Sequence, residues 1–248
     1  MKYRNLFYLL PIAALGLTLT SCEPDEPTPA PEPSPSNVVK STTIGYDETG
    51  KPTDTTVSIN IFDSQNRIVK QSTDDGSVVD YTYSASNITI KSANPNDPTE
   101  NITLVYSLDA QGRMSYAPLE LFGFKIGSIH HDYYPNDKLK SIGFFSIQSG
   151  DTSKTNYTWT GDNNTLQSEA MSTTTFDFDL TKRDLRNFGS EDLQRSRNKN
   201  ILTKETVNTT GEPAVINTYE YEYDATGRPV KEIIKQGGIK VSETTYEY

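Results

Sequence analysis

Tyr223-Asp224-Ala225-Thr226-Gly227-Arg228 decides the reading of this chain, because the same hexamer keeps returning along it. It stands as Tyr46-Asp47-Glu48-Thr49-Gly50-Lys51, as Phe62-Asp63-Ser64-Gln65-Asn66-Arg67 and as Leu108-Asp109-Ala110-Gln111-Gly112-Arg113. Shorter copies are Tyr134-Pro135-Asn136-Asp137-Lys138 and Gly161-Asp162-Asn163-Asn164. An Asp opens a turn by accepting backbone amides two or more residues on, and Gly or Asn accepts the positive φ that closes it. A type I turn ended by a left-handed residue suits hairpin loops of three to five residues. The basic residue then starts the returning strand, facing solvent.

The flanks of these turns alternate with period two. Val57, Ile59 and Ile61 share one face, with Ser58 and Asn60 on the other. Ile102, Leu104, Tyr106 and Leu108 oppose Thr103, Val105 and Ser107. Phe176, Phe178 and Leu180 oppose Asp177 and Asp179, and Tyr219, Tyr221 and Tyr223 oppose Glu220, Glu222 and Asp224. Such alternation predicts antiparallel strands with one face packed and one face wet. Fifteen tyrosines, nine phenylalanines and abundant threonine point the same way. The expectation is an all-β chain: an antiparallel meander of roughly a dozen strands forming a rolled sheet or an open or closed barrel. Helix is confined to one short segment, Ser190 to Arg197, where Ser190 caps and Glu191 and Asp192 suit the positive end of the dipole. It lies in a charged, irregular stretch from Thr181 to Asn200, read as a long connection across an open end of the sheet. Asn94-Pro95-Asn96-Asp97-Pro98 is a further loop.

Ahead of this domain the composition changes. Lys2 and Arg4 precede an apolar run from Leu6 to Leu19, which ends in Leu19-Thr20-Ser21-Cys22. That is the layout of a lipoprotein signal: charged head, short apolar core, small residues, and the cysteine that receives lipid. The run is short for a membrane-spanning helix, which needs about 20 apolar residues. The domains expected are a signal peptide over 1–21, a lipid-anchored Pro-rich spacer over 22–37 and one all-β domain over 38–248. Cys22 is the single cysteine among 248 residues, so neither a disulfide framework nor a thiolate metal site is expected. Prolines 24, 27, 29, 31, 33 and 35 favour an extended polyproline II rod. At about 3.1 Å per residue, the segment from 23 to 36 reaches roughly 43 Å. Resemblance to bacterial lipoproteins implies a di- or triacylated Cys22. The acidic Glu23-Pro24-Asp25-Glu26 that follows resembles the export signal of surface lipoproteins in Bacteroides-type bacteria. Together these imply an outer-membrane anchor facing outward, with a periplasm-facing anchor as the alternative.

The formal net charge is −10, and removing Lys2 and Arg4 with the signal leaves 21 basic residues against 33 acidic ones, or −12. A chain this acidic, without a basic block, has nothing to neutralise phosphates, so nucleic acid is not an expected partner. The partners expected are the membrane, through the lipid, and a glycan or another envelope protein.

The hexamers resemble the tyrosine-aspartate repeats of Rhs-type shell proteins. With the lipid signal and spacer, the chain resembles a family of Bacteroides-type lipoproteins of unassigned function with a porin-like β-fold. The resemblance covers about residues 38 to 248 and implies an antiparallel meander curled into a barrel. It brings no active site with it.

Nor do the residues assemble a catalytic set. His130 and His131 are the only histidines, and adjacent strand residues point to opposite faces. No Gly-x-Ser-x-Gly elbow is present. Asp177 with Asp179, and Glu220 with Glu222, are paired carboxylates about 7 Å apart by strand rise, a spacing suited to an inverting glycosidase. They also fit the wet faces of strands, with Lys231 and Lys235 answering Glu220 and Glu222 across a hairpin. Asp162-Asn163-Asn164 and Asn94 to Asp97 offer oxygen ligands for calcium, but their residues are those of turns. No metal and no cofactor is expected. Tyr133, Tyr134, Tyr157, Trp159, Phe144 and Phe145 cluster in the middle hairpins, either as core or as a platform for sugar rings or a protein. The leading expectation is a non-catalytic envelope lipoprotein serving as a binding or structural module. A glycan-binding accessory of nutrient capture, using Tyr133, Tyr134, Tyr157 and Trp159, is the second reading, and a carboxylate-dependent glycoside hydrolase the third.

Overall fold

The computed structural model describes residues 35–97, 101–121 and 124–248. The signal segment, Cys22 and the spacer up to residue 34 lie outside the described residues. Two short strands, β1 (Ser36–Asn37) and β14 (Arg186–Asn187), pair in parallel. The wall begins with β2 (Lys40–Tyr46), β3 (Pro52–Phe62), β4 (Ile68–Thr73), β5 (Val78–Tyr83), β6 (Asn87–Ala93) and β7 (Ile102–Leu108). It continues with β8 (Met114–Leu121), β9 (Phe124–Tyr133), β10 (Leu139–Ser146), β11 (Thr152–Thr160), β12 (Asn163–Ser168) and β13 (Ser172–Arg183). A five-residue helix, α1 (Ser190–Gln194), precedes β15 (Asn200–Thr209), β16 (Val215–Tyr223), β17 (Pro229–Gln236) and β18 (Ile239–Glu247). Every wall strand is antiparallel to its neighbours in sequence, and β18 pairs back onto β2, closing a barrel of sixteen strands.

The expected class holds, but a dozen strands was too few. Polar strands such as β11 and the first half of β13 carry little apolar alternation to betray them. The short helix lies inside the stretch expected for it, stopping at Gln194 rather than Arg197. Ser36 and Asn37, assigned to the spacer, are already part of the folded domain.

The hexamers are hairpin turns of one geometry. Asp224 Oδ1 accepts the amides of Thr226 at 2.8 Å and Arg228 at 3.0 Å. Gly227 donates to the Asp224 carbonyl at 3.0 Å with φ of 83°. Asp63 and Asp109 repeat the pattern, and Asn66 takes the left-handed place at φ 65°. These bonds, the Thr226 hydroxyl's foremost, hold the Asp224 carboxyl well below the usual carboxylate range. In the Tyr134 copy the register differs: Asp137 occupies the left-handed place, at φ 71°, and Tyr134 begins the turn.

The turns also lock one hairpin to the next. The guanidinium of Arg67 lies over the Tyr83 ring at 4.2 Å, Arg113 over Tyr133 at 4.4 Å and Arg228 over Tyr248 at 4.5 Å. Lys138 lies over Trp159 at 4.8 Å. In each case the ring's polar tip donates to the carbonyl of the residue after the basic one. Tyr83 bonds Ile68 at 2.7 Å, Tyr133 bonds Met114 at 2.8 Å, Trp159 bonds Leu139 at 2.7 Å and Tyr248 bonds Pro229 at 2.5 Å. Ile68, Met114, Leu139 and Pro229 are fully buried. The repeat is therefore longer than its turn: an apolar anchor follows it, and an aromatic clamp arrives from the end of the next hairpin. Since successive turns of a meander alternate ends, these four clamps all stand at one end of the barrel.

The connection between β13 and β15 crosses that same end. Leu193 packs on Ile88, Tyr106, Met114 and Ala117. Arg186 reaches Glu232 and Tyr246, and Gly189 presses on Ile68. Contacts on every side place residues 184–198 within the bore, and the side chains they touch mark the inner face of the wall. Pairing register carries that assignment around: Tyr81, Tyr106, Ile129, Tyr157, Phe176, Tyr219, Ile234 and Thr244 point inward. Lys70, Asp80, Lys91, Asp132, Lys154, Asp177, Lys204, Glu220, Glu222, Lys231 and Lys235 point outward. On β3 the expected faces are reversed. Ser58 and Asn60 face the bore, where Asn60 Nδ2 donates to the Val38 carbonyl, while Ile59 and Ile61 stay 45 % and 49 % exposed. The Val38 carbonyl beside β3 gives the buried Asn60 amide an acceptor there.

Sixteen strands enclose a bore that wall side chains alone do not fill, unlike that of an eight-stranded barrel. The inserted segment closes one end. Toward the other end the inward-facing Phe144 and Val215 are both 40 % exposed, so solvent enters the lumen. Among the described residues no helix is long and apolar enough to cross a membrane.

Candidate binding site in the barrel lumen

Arg186 fastens the inserted segment. Its Nε and Nη2 donate to the two carboxylate oxygens of Asp184 at 2.9 and 2.8 Å, and its Nη1 donates to Glu232 at 2.7 Å and to the Tyr246 hydroxyl at 2.9 Å. Tyr221 and Tyr246 rings flank the guanidinium at 5.2 Å. Burial opposes its charge, but the bond and field of Asp184, with Tyr246 and Glu232, hold it firmly protonated. Burial also raises the hydroxyls of Tyr221 and Tyr246 far above their ordinary range. These groups attach the segment to the wall; they are too enclosed to meet a ligand.

Beyond this fastening, α1 stands off the wall and leaves a cavity of about 250 Å³. Tyr157, Gln167, Phe176 and Leu202 line it from the wall, Glu191 and Gln194 from the helix, and Asn198 from the segment beyond it. Asn164, with its amide oxygen turned toward Gln167, accepts from Gln167 Nε2 at 3.0 Å. Its backbone amide donates to Asn198 Oδ1 at 2.7 Å. Deeper into the open lumen, Tyr219 and Asn217 both donate to Glu205 Oε2 at 3.0 Å. A second cavity, of about 410 Å³, lies at the closed end among Arg67, Tyr83, Leu193 and Arg195.

Of the aromatic residues singled out from the sequence, Tyr133 and Trp159 are the clamps described above, each covered on one face by a basic side chain. Tyr134 donates its hydroxyl to the Tyr157 carbonyl at 3.1 Å. Tyr133, Tyr134 and Trp159 bond the carbonyls of Met114, Tyr157 and Leu139 respectively, and Tyr157 alone of the four lines the 250 Å³ cavity. Gln167, Phe176, Gln194 and Asn198 were not singled out as site residues. Phe176 showed in the sequence only as the apolar side of an alternating strand, Gln167 not at all, and Gln194 and Asn198 only as part of an irregular stretch interrupting a regular meander.

The carboxylate pairs are engaged as the wet-face reading had them. Glu220 meets Lys235 at 2.5 Å and Glu222 meets Lys231 at 3.4 Å. Asp177 lies 3.7 Å from Lys204, and Asp179 accepts the amide and hydroxyl of Thr181. No group of three His, Cys, Asp or Glu side chains suited to a metal ion occurs among the described residues.

The histidines do point apart. His130 is outside, bonded to Ser128 and edge-on to Tyr116. His131 is inside, 6 % exposed and edge-on to Tyr106. Burial lowers its pKa from 6.5 to about 4. The folded state thus resists a proton that the unfolded chain accepts near pH 6.5. Stability contributed by neutral His131 is complete above that value and falls as the pH drops from 6.5 toward 4, by about 3 kcal/mol at most. Urea unfolding of the protein at pH 7 and at pH 4 is expected to show this loss. His131→Phe is expected to flatten it; an equal acid loss in the variant would assign it to other groups.

No protein-family model matches this chain, and no curated protein sequence does. Solved structures do match in fold. A porin-like protein from Bacteroides uniformis ATCC 8492 superposes with a TM-score of 0.57 at 12 % identity, covering 85 % of this chain and 97 % of its own. A porin-like protein from Bacteroides vulgatus ATCC 8482 gives 0.57 at 14 % identity, covering 86 % and 98 %. The chain shares their porin-like β-barrel fold. At such identity the likeness extends to the path of the backbone and the closure of the sheet.

Proposed function

We propose that this is a non-catalytic binding barrel working in water, tethered to the outer membrane by lipid on Cys22, with its open lumen as the binding surface. One observation carries the reading: charge stands at mid-strand on the outside, while rings and amides line the inside. A membrane-spanning barrel has the opposite wall, an apolar outer band around a polar interior. Lys or Arg facing lipid at the midplane costs roughly 2–4 kcal/mol apiece. The outward Lys70, Lys91 and Lys204, near the middle of their strands, would together cost roughly 6–12 kcal/mol in lipid, as much as a typical folding stability of about 5–15 kcal/mol. The porin-like fold is here used as a cup rather than a pore.

A glycan is the ligand that suits the lumen, since Tyr and Phe faces with Asn and Gln amides match the ring faces and hydroxyls of sugars. Hydrolysis finds less support, because each paired carboxylate already has a partner; unchanged activity in Asp177→Asn and Asp179→Asn would remove that site. Two measurements test the main reading. Cys22→Ser is expected to move the protein from the detergent phase to the aqueous phase and out of the membrane fraction. Pull-down with insoluble polysaccharides is expected to retain the wild type; retention of none would sink the glycan version.

A further inference from the structure

The clefts among the described residues differ in chemistry, and the largest of them, of about 610 Å³, lies at the strand ends beside Lys154 and Glu169. The closed-end cavity holds Arg67 and Arg195, and a smaller one near Asp137 holds Lys138, Arg195 and Arg197. The cavity between α1 and the wall has no lysine or arginine among its lining residues. It offers two aromatic faces, Tyr157 and Phe176, with the Gln167 amide between them on the wall, opposite the amides of Gln194 and Asn198 and the carboxylate of Glu191. Without a cation it holds no anion well. Its volume of about 250 Å³ falls below the roughly 300 Å³ at which pockets for drug-sized ligands begin.

We infer that this cavity, walled by Tyr157, Gln167 and Phe176 and roofed by Gln194 of α1, binds a single neutral sugar ring, the end unit of a glycan. A ring's C–H face lies against Phe176 or Tyr157, and its hydroxyls exchange bonds with the amides, which both donate and accept. The hydrogen bonds among Asn164, Gln167 and Asn198 fix the Gln167 and Asn198 amides before the ligand arrives, so little side-chain entropy is lost at those two on binding. Because α1 belongs to the inserted segment, the same connection that closes the barrel supplies half of the site. The inference rests on the glycan-binding reading above.

Ligand-observed NMR of the full chain in detergent tests it, using the methyl glycosides of glucose, galactose, mannose and N-acetylglucosamine as probes. One of them is expected to bind. Gln194→Leu should weaken it about tenfold, the loss of one hydrogen bond, and Gln194→Trp, which fills the cavity, should abolish it. Thermal melting of both variants close to wild type shows that the fold is intact. A wild type that binds a glycoside equally well as Gln194→Trp overturns this site and leaves glycan binding standing. Retention on polysaccharide without binding of any single-ring glycoside also overturns it. Binding of neither probe class overturns both.

Discussion

Arg186→Met loses about 3–5 kcal/mol of folding stability, as breaking one side of a buried charge network does. The change leaves Asp184 and Glu232 facing each other in the bore with no cation between them. Glu232 also stands beside Tyr221 and Tyr246, whose enclosure offers it little water. Residues 184–198 then detach from β16 to β18, and the barrel's closed end opens. Urea unfolding followed by circular dichroism measures the loss, and limited proteolysis locates it within 184–198. Adding Asp184→Asn and Glu232→Gln to Arg186→Met should recover part of the stability, since neutralising all partners removes the unpaired charge. A single variant that loses less than about 1 kcal/mol, the range of exposed ion pairs, would refute the buried network.

Trp159→Ala is expected to cost about 2–4 kcal/mol, somewhat below the range for a fully buried aromatic because the ring is half-buried. Trp159 fills space beside Leu139, bonds its carbonyl and holds Lys138 over its ring. Trp159→Phe separates these contributions. It keeps apolar bulk while leaving the Leu139 carbonyl without its donor, an expected loss of about 1–3 kcal/mol. Equal losses in the two variants would mean that packing is negligible and the bond is everything. Negligible loss in both would disprove the clamp, and with it the account of the repeat as a turn joined to an anchor and an aromatic tip. Trp159 is the chain's sole tryptophan, so the alanine and phenylalanine variants must be followed by circular dichroism.

The two residues illustrate how unevenly the fold was legible. Trp159 stood out as a lone large aromatic on a strand, and its strand is where the sequence places it. Its partner was hidden: Lys138 and Leu139 sit in a degenerate turn, and nothing local says that a ring two strands on will reach them. Arg186 was one charge in an irregular stretch. Its importance comes from Glu232 and Tyr246, 46 and 60 residues away in sequence. Candidate site residues followed the same rule. Tyr157 was found because aromatics are conspicuous, whereas Gln167, Gln194 and Asn198 were missed because amides are ordinary until a fold turns them toward one cavity.

Local chemistry was enough to determine the turns, the strands between them and the sharing of faces along each strand. Asp, Gly or Asn, and a basic residue close a hairpin through bonds within five residues, and period two needs only the pleat. Which face is the inside was left to the tertiary structure. On β3 the apolar face turned out to be the outer one, and on β16 the tyrosines turned inward. A strand carries no mark of the side on which a sheet will close. Closure depends on sixteen strands completing a circuit, and the inside becomes defined only once the 184–198 connection crosses the bore and selects the side chains that meet it.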